Sequence, residues 1–139
     1  MSNNMFIDSL RESFRYFIQH NGSAYHSDGF KLSIQGNSLT DAKYLYDKLI
    51  DFLLISKCSF KFGTSKLISC DNVQQSKKLL TIYIPNGVEV KSFAELIYLH
   101  IKDYEGGNDI TKPDSYEHYK NAIYFRNDRD EDGTYISAN

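Results

Sequence analysis

The chain has 139 residues, 41% hydrophobic and 24% charged, with eight glycines and two prolines, which fits one folded domain and excludes a disordered or fibrous chain. Sixteen Lys and Arg against eighteen Asp and Glu give a net charge of −2, so any anion site has to be local rather than a bulk cationic field. Two cysteines, Cys58 and Cys70, are too few for a disulfide framework or a four-cysteine zinc site, and read as reduced thiols of a cytoplasmic protein.

Charged residues interrupt the first seventeen positions, so no signal peptide is expected. No stretch approaches the roughly 20 apolar residues of a membrane span. The Asn21-Gly22-Ser23 sequon is accordingly read as incidental.

Met5, Phe6, Leu10, Phe14, Phe17 and Ile18 recur at helical spacing, predicting a first helix over residues 1–21 that stops at Asn21-Gly22. Phe30 to Gly36 alternates and predicts a strand. Ser38 and Asp41 form a capping pattern ahead of the stripe Leu39, Ala42, Leu45, Leu49, Phe52 and Leu53, predicting a helix to about residue 56. Ser59 to Gly63 reads as a short strand, Ser69 to Lys78 as a loop, and Leu79 to Ile84 as a strand stopped by Pro85-Asn86-Gly87. Ser92 with Glu95 opens a further helix that ends at Gly106-Gly107. A polar stretch around Pro113 precedes a last strand, Ala122 to Arg126, and a short strand is expected near Tyr135.

After the first helix the order is β-α-β-β-α-β. This predicts an α+β domain whose antiparallel sheet carries both helices on one face. Alternation then places Leu32, Ile34, Phe60, Phe62, Leu80, Ile82, Ile84, Ile123 and Phe125 toward the helices. Lys31, Ser33, Lys61, Thr81, Tyr83, Tyr124 and Arg126 share the other face. Those side chains are either a solvated sheet surface or a local anion site, in which an arginine grips phosphate bidentately and a lysine crowded by cations can act as a base.

Four segments in order resemble one family: Gly29-Phe30-Lys31-Leu32-Ser33-Ile34, Ser59-Phe60-Lys61-Phe62, Lys78-Leu79-Leu80-Thr81-Ile82-Tyr83-Ile84-Pro85 and Tyr124-Phe125-Arg126. The family is the N-terminal lyase domain of class III and IV lanthionine synthetases, itself similar to phosphothreonine lyase effectors. The likeness covers residues 29–126. It implies β-elimination from a phosphoserine or phosphothreonine peptide with no metal or organic cofactor. Lys61 would remove the α-proton, Lys31 would accompany it, and Arg126, Lys78 and Lys31 would hold phosphate.

The family places a histidine two residues after the first lysine, and here that position is Ser33, a poor proton donor; such an acid contributes about 10²–10⁴-fold. The kinase and cyclase domains of the synthetases have no counterpart in this sequence. Both departures favour a phosphopeptide binder with elimination weak or lost. His26 is a candidate stand-in from a loop, but the preferred reading makes it, with His20, His100 and His118, an ordinary surface or core-edge residue.

Residues 127–139 read as an acidic turn and tail. Asp128, Asp130, Asp132 and Gly133 match the opening of a calcium loop, but Asn139 occupies the place of its bidentate glutamate, so a turn is preferred to a metal site. Two other readings compete. One is a small interaction or inhibitor domain docking on a protein partner; the other is a single-stranded nucleic-acid binder, disfavoured by the negative charge and the missing RRM signature.

Overall fold

A computed structural model describes residues 3–25, 30–107 and 112–127. Helix α1 (Asn3–Glu12) leads into strand β1 (Phe17–His20), then β2 (Phe30–Gln35) and the long helix α2 (Leu39–Ile55). Strand β3 (Ser59–Gly63), two single-turn helices α3 (Ser65–Ile68) and α4 (Val73–Ser76) and strand β4 (Lys78–Tyr83) follow. Helix α5 (Val90–His100) and the hairpin β5 (Glu117–Lys120) and β6 (Ile123–Asn127) complete the order.

The six strands form one antiparallel sheet in the order β1-β3-β4-β2-β6-β5. Its centre, β3-β4-β2-β6, interleaves the two βαβ halves as the α+β reading expects. Leu32, Ile34, Phe60, Phe62, Leu80, Ile82, Ile123 and Phe125 all enter one core with Leu45, Leu49 and Leu53 of α2 and Phe93 and Ile97 of α5. Ile84, just past β4, joins them. Phe52 and Phe93 join the two helices, their ring centroids 5.6 Å apart.

Local chemistry explains the caps. Ser38 accepts a hydrogen bond from Asp41 N and starts α2, and Glu89, rather than Ser92, caps α5 by accepting from the amides of Lys91 and Ser92. That helix ends at His100, short of Gly106-Gly107. Thr64 and Asn72 cap α3 and α4; α3 precedes the segment expected to be a loop, and α4 lies within it.

Two further departures concern strands. The first helix stops at Glu12 instead of running through Ile18. Ser13 Oγ accepts from Arg15 N, a local turn that competes with helical hydrogen bonding, and Phe17–His20 instead adds to the free edge of β3. The polar stretch after Pro113 contains β5, whose isolated sequence Glu-His-Tyr-Lys carries little apolar signal. It exists because Asn121, at φ 53°, turns the chain back onto β6. The region of Tyr135 lies outside the described residues.

Candidate functional site

The second face of the sheet is covered, which removes the solvated-surface alternative. Lys31, Ser33, Lys78, Thr81, Tyr124 and Arg126 are between 0% and 7% exposed, while Lys61 and Tyr83 are half-buried. Register aligns these residues in rows. One row across β1-β3-β4-β2-β6-β5 reads Gln19, Lys61, Thr81, Ser33, Tyr124, His118; the next across β4-β2-β6 reads Tyr83, Lys31, Arg126.

Lys78 reaches this face for a reason that parity misses. Strict alternation from Leu80 would send it to the helices. The register between β2 and β4 slips after Ile34, so that Gln35 pairs with Lys78 instead of Leu79. This bulge turns Leu79 into the core and Lys78 to the cationic side.

Four cations from four strands therefore converge: Lys31, Lys61, Lys78 and Arg126. Burial pushes the Lys78 ammonium down to a pKa of about 8, helped by repulsion from Arg126, Lys31 and Lys61 and partly opposed by Asp114. Aromatic faces compensate some of the lost hydration. Lys61 Nζ lies 4.3 Å from the Phe17 ring centroid. Lys78 Nζ and Arg126 Cζ each lie 5.1 Å from that of Tyr116.

The walls come from segments outside the sheet. Leu67 of α3 packs over Gly63, where an added Cβ would lie 2.3 Å from Leu67 Cδ2. Gln74 of α4 and Asp114 clasp each other: Gln74 Nε2 donates to Asp114 Oδ2 at 2.9 Å, and Asp114 N donates to Gln74 Oε1 at 3.1 Å. Ser33 Oγ accepts from Gln35 Nε2 at 2.9 Å, so its buried hydroxyl is integrated with a neutral amide.

The histidines fall as follows. His20 stacks on Phe60 at 4.9 Å, and His100 lies 5.0 Å from Phe52. His118 is on the cationic side, 4.9 Å from Tyr124, with Nε2 donating to Asn121 O at 2.7 Å. His26 and the acidic set Asp128, Asp130 and Asp132 lie outside the described residues. Among the described residues, no group of three or more His, Cys, Asp or Glu is arranged to hold a metal, and no helix is long and apolar enough to cross a membrane.

Sequence reasoning grouped Lys31, Lys61 and Arg126, and missed Phe17 and Tyr116. Phe17 was legible in principle, because two residues from Gln19 it shares that residue's face of a strand; its helical spacing with Phe14 obscured that. Tyr116 has no local signal, since only the β5-β6 hairpin carries it back over the sheet. Chemically, the assembly offers several N–H donors and at least three positive charges in a largely dehydrated setting, which suits a compact, doubly charged oxyanion. No protein-family profile matches the chain, and no curated protein matches it.

Proposed function

We propose that this domain recognises phosphate on a phosphorylated peptide, with β-elimination weak or lost. The observation that carries the reading is the convergence of Lys31, Lys61, Lys78 and Arg126 on one covered side, where burial first and repulsion from the other three second pull Lys78 to about 8. Groups held this way are poised to gain from a dianion, which relieves repulsion and restores the solvation that burial removed.

Elimination would need a neutral lysine, Lys61 in the family's arrangement, to take the α-proton as the Cα–Cβ double bond forms and phosphate leaves Cβ. The leaving oxygen then needs a proton donor. Ser33, with its hydroxyl accepting from Gln35, is a weak one, which is the ground for binding over turnover. The buried face also argues against a nucleic-acid platform, which needs exposed rings on which bases stack.

Calorimetric titration with a phosphoserine peptide and its unphosphorylated twin tests the reading. The phosphopeptide binds at least tenfold tighter, and Lys61→Ala and Arg126→Ala each remove most of that preference. Equal affinity for the two peptides, unaffected by either substitution, contradicts it. Release of inorganic phosphate on prolonged incubation measures any surviving elimination.

A further inference from the structure

Beside the cations, Tyr16, Phe17, Leu67, Cys70, Asp71, Asn72 and Gln75 enclose a half-open cleft of about 480 Å³. Its inner wall is Phe17, whose other neighbour is Lys61 Nζ at 4.3 Å, so cleft and cations meet at one ring. Leu67, lying over Gly63, fixes the floor. The volume is in the range of sites that hold small organic groups.

We infer that this cleft is a specificity subsite for a large apolar side chain two residues from the phosphorylated one. The inference rests on the phosphopeptide reading. An extended peptide presents residues i and i+2 on the same side, roughly 7 Å apart. With the phosphate against Lys61, the side chain two positions along reaches past Phe17 into the cleft, whereas its immediate neighbours face away. Tyr16, Phe17 and Leu67 supply apolar contact. Asp71 and Asn72 are exposed at the margin, and Asp71 disfavours an acidic occupant.

Phosphoserine peptides carrying Phe at −2 or +2 are compared with versions carrying Gly there and with versions carrying Phe at −1 or +1. Phe at one of the two outer positions gives about tenfold tighter binding, and Phe at the inner positions gives none. Cys70→Trp and, separately, Gln75→Phe fill the cleft. Each abolishes the advantage while leaving the affinity of the Gly peptide unchanged. On the unaltered protein, the Phe peptide slows alkylation of Cys70 by iodoacetamide more than the Gly peptide does at equal occupancy; Cys58 is fully buried and its thiol is pushed up to about 11. Phosphate-dependent binding with no preference at −2 or +2 overturns the subsite and leaves the phosphate reading standing. Absence of any phosphate preference overturns both.

Discussion

Lys78 is the residue at which stability and the proposed recognition oppose each other. Its ammonium is desolvated and faces three other cations, so the folded state is penalised whenever Lys78 is charged. Replacing it by Met keeps the stem's volume and removes the charge. Lys78→Met is therefore expected to stabilise the fold by about 1 kcal/mol at pH 7 while weakening phosphopeptide binding. Thermal melting paired with titration checks both halves; destabilisation with unchanged affinity would contradict the assignment.

The pH dependence has a definite sign. The folded pKa, about 8, lies below the ordinary 10.5, so between these values the unfolded chain binds more protons. Stability contributed by this group therefore rises with pH across roughly 8 to 10.5, and the penalty is fully present below 8. Urea midpoints at pH 7.5 and 9.5 should show the gap between Lys78→Met and the unaltered protein narrowing at the higher pH. A gap that stays constant or widens would show that Lys78 is not the strained group.

At the scale of elements, what was legible tracks how local the cause is. Ser38 with Asp41, the stripe of α2 and the alternation of β2, β3 and β6 are set by neighbours in sequence, and each appears where expected. Ser38→Ala removes the hydrogen bond to Asp41 N and should cost about 1 kcal/mol of stability in chemical denaturation, without changing phosphopeptide affinity. A change in affinity would place α2 closer to the ligand than the fold does.

What was not legible depends on distant partners. Phe17–His20 is a strand because β3 has a free edge, and Glu117–Lys120 because β6 has one. Lys78 faces the cations because the ladder slips at Ile34 and Gln35, an event with no marker in the local sequence. A one-residue slip reverses every side chain beyond it, so parity inferred from a single strand is secure only up to the first bulge. Alternation alone does not bring Lys78 to that side.

At the scale of the molecule, a net charge of −2 coexists with a cluster of four cations, so long-range attraction to anions is weak and the proposed recognition would rest on contact. Affinity for a phosphopeptide should fall with salt less steeply than in a domain with a basic surface, because three of these cations are buried, Lys61 is half-buried, and all are poorly screened. The covered sheet face, the α3–α4 segment and the Gln74–Asp114 clasp together bury most of the cationic side of an ordinary α+β domain.

Thermal melting in inorganic phosphate, against chloride at matched ionic strength, tests the proposed oxyanion site most directly, with Arg126→Ala measured alongside. Phosphate should raise the melting temperature of the unaltered protein in proportion to ln(1 + [L]/Kd), about 2.7 kcal/mol of added stability at a hundred times Kd, and should leave Arg126→Ala nearly unmoved. No rise, or an equal rise in both proteins, would mean that the four cations do not form an oxyanion site.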